Sequence, residues 1–109
     1  MNKKEKEWAL LIVDMILDFC HPGGALYVRD GNIVSRAIAN HIDTTNYRIY
    51  VCTNDEHPSN HYSFKENGGT WPKHAVKGTL GATMSEFVNY ALSKKLIQFQ
   101  YFIVKGTDP

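Results

Sequence analysis

Residues 8–14 read Trp-Ala-Leu-Leu-Ile-Val-Asp, an apolar run that stops abruptly at a carboxylate. An apolar run without polar alternation is typical of a strand buried on both faces, as in a parallel sheet covered by helices. Two later stretches are also predicted to be strands: residues 48–53 (Arg-Ile-Tyr-Val-Cys-Thr) and residues 100–104 (Gln-Tyr-Phe-Ile-Val). The sequence therefore predicts three strands.

Two helices are predicted between these strands. Apolar residues recur at helical spacing from about Asn32 to Asp43, and a second helix begins near Thr83 or Ser85 with the acidic Glu86 in its first turn. Alternating strands and helices indicate an α/β fold with right-handed crossovers. We expect a three-layer α/β/α parallel sheet, of which the chain contains the first three strands.

The composition limits the classes of function. A length of 109 residues fits one domain, and a net charge of +1 leaves no basic surface for nucleic acid. Asp14 and Asp18 interrupt the first apolar run, so we expect neither a secretory leader nor a membrane span, and a cytoplasmic protein. Two cysteines, Cys20 and Cys52, do not make a disulfide framework.

Three ionisable residues follow predicted strand ends: Asp14, Asp55 and Lys105. The carboxyl ends of parallel strands open onto one edge of the sheet, where functional groups gather. Taken singly, Asp14 is explained by a carboxylate that accepts backbone N–H groups, and Lys105 by a solvated side chain. Taken together, an acid and an amine at one edge predict a proton-transfer pair.

The segment from residue 55 to residue 74 is rich in Pro, Gly, Ser and Asn and carries one carboxylate and three imidazoles: Asp55, His57, His61 and His74. Side chains of these types coordinate zinc, iron or manganese. In extended chain Asp55 and His57 share a side, because strand side chains alternate. The alternative is a hydrophilic connection stiffened by prolines.

Four stretches, residues 9–26, 53–64, 71–82 and 104–109, resemble the nicotinamidase/pyrazinamidase branch of the isochorismatase-like cysteine hydrolases, in the right order and at plausible spacing. The resemblance implies that Asp14 accepts the proton of a cysteine thiol and that Lys105 steadies the charges. The thiolate then attacks a carboxamide carbon, ammonia leaves, and water hydrolyses the thioester.

The same resemblance implies one divalent metal that orients the ring nitrogen of a nicotinamide-like carboxamide. Asp55, His57 and His74 match its constant ligands, and His61 matches a position that ligates in some members only. Phe19 and Trp71 match aromatic residues that sandwich the substrate ring. Judged alone, both aromatic residues are more typical of ordinary packing.

The chain departs from the family at the nucleophile, which lies beyond the lysine after a fourth strand. Cys20 and Cys52 occupy no corresponding position. We therefore interpret residues 1–109 as the N-terminal portion of a single hydrolase domain, truncated after the third strand and inactive alone. Expected partners are the small-molecule substrate and either further copies of the chain or a complementing C-terminal half. The alternatives are a non-catalytic metal-binding or interaction module, and a sibling isochorismatase-like hydrolase.

Overall fold

A computed structural model describes residues 5–95 and 97–109, except for the side chains of residues 5–7, and contains a three-stranded parallel sheet. The strands are β1 (Glu5–Val13), β2 (Asn46–Asp55) and β3 (Phe99–Lys105), in the spatial order β1-β2-β3. Both strand pairs are parallel. The predicted α/β fold with a parallel sheet is confirmed, and each strand extends one to three residues beyond the predicted bounds.

In the described part of the chain, three α-helices accompany the sheet: α1 (Leu17–Cys20), α2 (Gly31–Thr44) and α3 (Glu86–Ser93). Helices α2 and α3 match the two predicted helices, and Ser85 occupies the N-cap position of α3. Helix α1 is not predicted, because four residues are too few to show helical periodicity. Cys20 is the last residue of this helix.

The hydrophobic core lies between one face of the sheet and helices α2 and α3. Its buried members are Ile12, Ile42, Tyr50, Cys52, Val88, Ala91 and Leu92. The strand members have even numbers, because alternate side chains of a strand point to the same face. Burying each large apolar side chain contributes on the order of 2 kcal/mol, so this face stabilises the sheet most.

The opposite face of the sheet is open. Leu11, Val51 and Tyr101 are register partners on this face, and Leu11 and Tyr101 are 59% and 52% exposed. The prediction that the first strand is buried on both faces is therefore wrong for the described part of the chain, in which helices α2 and α3 both cover the other face. Among the described residues, strand β1 lies at one edge of the sheet.

The long connection from β2 to α3 carries the three histidine candidates for metal binding, and Asp55 is the last residue of β2. The connection contains two short 3₁₀ turns, Lys65–Asn67 and Leu80–Ala82, and begins at the carboxyl end of β2. Within the described residues, no helix is long and apolar enough to cross a membrane.

Candidate active site and metal centre

The carboxyl ends of the three strands bring Asp14, Asp55 and Lys105 together. The Lys105 Nζ atom lies 2.6 Å from Asp55 Oδ1 and 3.0 Å from Asp14 Oδ1. Asp55 and Lys105 are register partners of β2 and β3, so the strand pairing itself sets their contact. Two carboxylates thus share one ammonium group at the edge of the sheet.

Asp14 is held by its backbone as well as by the ion pair. Its φ angle is 58°, a left-handed conformation that is uncommon for a residue with a Cβ atom. Its N–H donates to the Thr53 carbonyl oxygen at 2.7 Å, and its Oδ1 atom accepts the N–H of Asp55 at 3.1 Å. Strained backbone of this kind clusters at functional sites, where surrounding contacts fix the side chain.

The ion pairs change the proton affinity of Lys105. Burial lowers the pKa of its ammonium group, but hydrogen bonds to Asp55 and Asp14, together with their charges, outweigh burial and raise the pKa above its usual value. Lys105 therefore stays protonated at neutral pH.

Asp55, His57 and His74 form a cluster with the spacing of a metal site. Each offers one ligand atom, and these atoms lie within 4.8 Å of one another. His57 and His74 are 5% exposed, whereas Asp55 is partly buried. The Asp55 carboxylate belongs both to the ion pair with Lys105 and to this metal-binding cluster. Its Oδ1 atom contacts Lys105, and its Oδ2 atom lies 3.5 Å from His57 Nε2.

Hydrogen bonds orient two of the imidazoles toward the cluster. His57 Nδ1 lies 2.6 Å from the carbonyl oxygen of Gly106, and His74 Nδ1 lies 2.7 Å from that of Pro72. A carbonyl oxygen only accepts, so both Nδ1 atoms carry the proton and both Nε2 atoms are free to bind a cation. Metal-binding histidines are usually held by such an outer hydrogen bond.

His61 lies beside the cluster but is bonded differently. Its ring stacks on His57 with centroids 3.9 Å apart, and its Nδ1 atom lies 2.7 Å from the Ser63 hydroxyl oxygen and 3.3 Å from the Ser63 backbone nitrogen. Burial, followed by the charges of His57 and His74, lowers the pKa of His61.

Phe64 packs against all three imidazoles and is not singled out by the sequence. It is fully buried, and its ring centroid lies 5.3 to 5.8 Å from those of His57, His61 and His74. An apolar floor of this kind keeps water from one side of the cluster and limits rotation of the rings. A single Phe in a polar loop carries no signal of this role until the loop folds.

The aromatic candidates Phe19 and Trp71 line a cleft next to the cluster. The cleft has a volume of about 440 Å³, and Asp14 and Cys20 also line it. Phe19 connects the cleft to the metal candidates, since its ring centroid lies 5.8 Å from that of His74. Trp71 is half exposed at the rim. The cleft is large enough for a single aromatic ring.

Neither cysteine has the surroundings of a nucleophile. Burial, followed by the charge of Asp14, raises the pKa of Cys20, and burial raises the pKa of Cys52 to about 11. The Cys20 thiol also donates to the Met15 sulfur at 3.6 Å. Reactive thiols have a lowered pKa, so both residues remain protonated and inert at neutral pH.

Known proteins resemble this chain in sequence and in fold. A nicotinamidase/pyrazinamidase of Mycobacterium tuberculosis is 41% identical over 78 residues, which are 68% of this chain and 41% of that protein. The crystal structure of PnC1 from L. infantum in complex with nicotinate has a TM-score of 0.80 and 35% identity, covering 92% of this chain and 48% of that one. A pyrazinamidase of Pyrococcus horikoshii in complex with zinc has a TM-score of 0.69 and 35% identity, covering 96% and 53%.

The chain spans about half the length of these relatives. No protein-family model matches it. The sequence and fold similarities together confirm the predicted resemblance, over part of the relatives' length.

Proposed function

We propose that this chain, which belongs to the nicotinamidase/pyrazinamidase family, supplies the metal centre and two of the three catalytic groups of an amidohydrolase acting on nicotinamide. One observation carries the proposal. The Asp55 carboxylate contacts the Lys105 ammonium group through one oxygen and faces His57 through the other. The Asp55 side chain therefore joins the metal centre to Lys105, which also contacts Asp14, so that all of them lie within reach of one small substrate.

The donor set fits a divalent metal. One carboxylate and two neutral imidazoles with free Nε2 atoms are ligands that zinc, iron and manganese accept, and three protein ligands leave positions open for substrate or water. In this proposal Asp55, His57 and His74 hold the metal, and His61 is a weaker candidate. When bound, the metal supplies a Lewis-acid contact that orients the ring nitrogen of a pyridine carboxamide.

Asp14 performs the proton transfer, and Lys105 stabilises negative charge. The Asp14 carboxylate accepts the proton of the attacking thiol, since it lies at the cleft and is held by the N–H of Asp55. Lys105 keeps its positive charge and stabilises the negative charge that develops as the thiolate attacks the carboxamide.

Phe19 and Trp71 hold the aromatic ring of the substrate. Both line the cleft that contains Asp14. A pyridine ring placed between them would also lie near His74, because the Phe19 ring contacts the His74 ring. The L. infantum relative binds nicotinate, and the P. horikoshii relative binds zinc. Both facts support a small aromatic carboxamide and a zinc-like ion as the ligands of this chain.

The nucleophile comes from outside these 109 residues. Cys20 and Cys52 are buried, and both have a raised pKa. The chain is then the N-terminal portion of one hydrolase domain, and catalysis requires a second segment that supplies an exposed cysteine. Without an activated thiolate no covalent intermediate forms, so the chain alone does not turn over substrate.

Ammonia release from nicotinamide tests the proposal. We expect none from the purified chain with zinc or manganese, and turnover when the chain is combined with the complementary portion of a relative. In the combined protein Lys105→Met abolishes turnover. Lys94→Met is the matched control, because Lys94 forms an ion pair with Asp43 at 2.8 Å, away from the site. Turnover by the chain alone would assign the nucleophile to Cys20 or Cys52, and metal binding without turnover in the combined protein would favour a non-catalytic metal-binding module.

A further inference from the structure

The carboxylate of Asp18 joins two distant parts of the chain. Its Oδ2 atom accepts the N–H of Ala75 at 2.8 Å, across 57 residues, and its Oδ1 atom accepts the N–H of Ala25 at 3.0 Å. Asp18 lies in helix α1, directly before the cleft residue Phe19. The two hydrogen bonds therefore tie the segment that lines the cleft to the segment that carries His74.

Ala75 is the point at which both histidines of the proposed metal centre are fixed. It directly follows His74, and its carbonyl oxygen accepts the backbone N–H of His57 at 2.7 Å. It is fully buried, and its φ angle is 50°. Left-handed backbone is unfavourable for a residue with a Cβ atom, so Ala75 holds this conformation only if its surroundings compensate.

The Asp18 carboxylate provides that compensation. The left-handed turn directs the buried N–H of Ala75 at Asp18, and a hydrogen bond to an ionised acceptor is stronger than one to a neutral acceptor. The carboxylate group also lies close to Gly81, where a Cβ atom would collide with it. The absence of a side chain at Gly81 thus leaves room for the carboxylate beside Ala75.

We propose that Asp18 is a positioning residue for the metal centre. By holding Ala75 in the left-handed conformation, it sets the distance between His57 and His74 and links that distance to the cleft. Asp18 touches neither metal nor substrate, and its effect passes through the backbone of Ala75. This inference rests on the proposed metal site of Asp55, His57 and His74.

The test compares metal affinity in three proteins: the full chain, Asp18→Asn and the matched control Asp43→Asn. Asparagine keeps the size of the side chain but replaces one acceptor oxygen by an NH₂ group, so one of the two backbone N–H groups loses its partner. Asp43 undergoes the same chemical change at an exposed ion pair with Lys94. Zinc affinity is measured by competition with a chromophoric chelator, and the cobalt(II) absorption spectrum reports the coordination geometry.

We expect Asp18→Asn to weaken zinc binding about tenfold or more and to change the cobalt spectrum, because residues that orient metal ligands typically have effects of this size. Asp43→Asn should match the unchanged chain in zinc affinity and in its cobalt spectrum. A second measurement needs no metal. In NMR spectra of ¹⁵N-alanine-labelled protein, the Ala25 and Ala75 amide resonances should move in Asp18→Asn and stay in place in Asp43→Asn.

Folding is monitored by far-ultraviolet circular dichroism. The double variant Asp18→Asn with Ala75→Gly distinguishes an effect of the Ala75 backbone from a general loss of structure. Glycine adopts left-handed backbone without strain, so the double variant should recover part of the zinc affinity. Zinc affinity in Asp18→Asn equal to that of the unchanged chain would overturn the inference and leave the metal site standing. No zinc binding by the unchanged chain would overturn the metal site, and the inference with it.

Discussion

Asp55 and Lys105 are register partners at the carboxyl ends of β2 and β3, and their side chains meet at 2.6 Å. The second oxygen of Asp55 lies 3.5 Å from His57 Nε2. The parallel sheet thus places one carboxylate between an ammonium group and an imidazole cluster. A change at Lys105 should therefore alter the stability of the sheet edge as well as the proposed chemistry.

The raised pKa of Lys105 predicts a loss of stability at alkaline pH. A cation whose pKa is higher in the folded than in the unfolded chain stabilises the fold fully below its unfolded pKa of about 10.4, and this stabilisation is lost as pH rises through the folded pKa. The difference in unfolding free energy between the unchanged chain and Lys105→Met should be constant from neutral pH to about pH 10 and then shrink. Chemical denaturation at several pH values measures it. A difference that stays constant throughout would contradict the assigned ion pairs.

The lowered pKa of His61 predicts a loss of stability in acid. Below about pH 6.5 the unfolded chain takes up this proton more readily than the folded chain, so the free energy of unfolding falls as pH falls. With chelator present, the unchanged chain should lose stability between about pH 7 and pH 5 more steeply than His61→Asn. His41→Asn is the control, because that imidazole is exposed and bonds Tyr47 at 2.8 Å. Equal pH slopes in the unchanged chain and His61→Asn would show that His61 is not held neutral by its surroundings.

Gly106 should be required for the orientation of His57. Its φ angle is 70°, and a Cβ atom there would lie 2.5 Å from His57 Cε1. Gly78 has a φ angle of 83°, and a Cβ atom there would meet nothing within 4 Å. The variant Gly78→Ala is therefore the control that shows the effect of backbone strain without a clash. Both Gly→Ala variants should lose about 1–2 kcal/mol of unfolding free energy through left-handed strain.

Only Gly106→Ala should also weaken zinc binding, because only there does the added methyl group push against an imidazole of the proposed metal centre. Isothermal titration with zinc, on both variants and the unchanged chain, measures the effect. Unaltered zinc affinity in Gly106→Ala would show that Gly106 is not required to orient His57 for metal binding.

The open face of the sheet should cause self-association. Leu11 and Tyr101 are more than half exposed beside the partly buried Val51, and among the described residues no strand pairs with the outer edge of β1. Analytical ultracentrifugation of the chain should show concentration-dependent association, which Leu11→Lys with Tyr101→Lys reduces. The control Ile97→Lys changes an exposed apolar residue outside the strands. A monodisperse monomer at high concentration would contradict this expectation.

The sequence predicts the framework of the site because its signals are local. The apolar run that ends at Asp14 marks a strand end, and the rule that site residues follow strand ends selects Asp55 and Lys105 without any contact information. The burial of β1 is predicted wrongly for these residues, since an apolar run shows what a strand can bury and not whether a second layer covers it.

The supporting residues are not predictable in this way. Asp18 acts across 57 residues and Gly106 across 49, and neither type of residue is unusual at its position. The role of Asp18 depends on the left-handed turn at Ala75. The role of Gly106 depends on its close approach to His57. Such contacts exist only once the loop from β2 to α3 has folded against α1 and the end of β3.

Metal content tests the central claim most directly, namely that Asp55, His57 and His74 form one metal centre at the edge of this sheet. The chain is purified without chelator, equilibrated with zinc and desalted, and zinc is counted per chain by plasma mass spectrometry. We predict one zinc ion per chain in the unchanged protein and in the control His41→Ala, and none in the double variant His57→Ala with His74→Ala. Equal zinc content in the double variant and the unchanged chain would contradict the account.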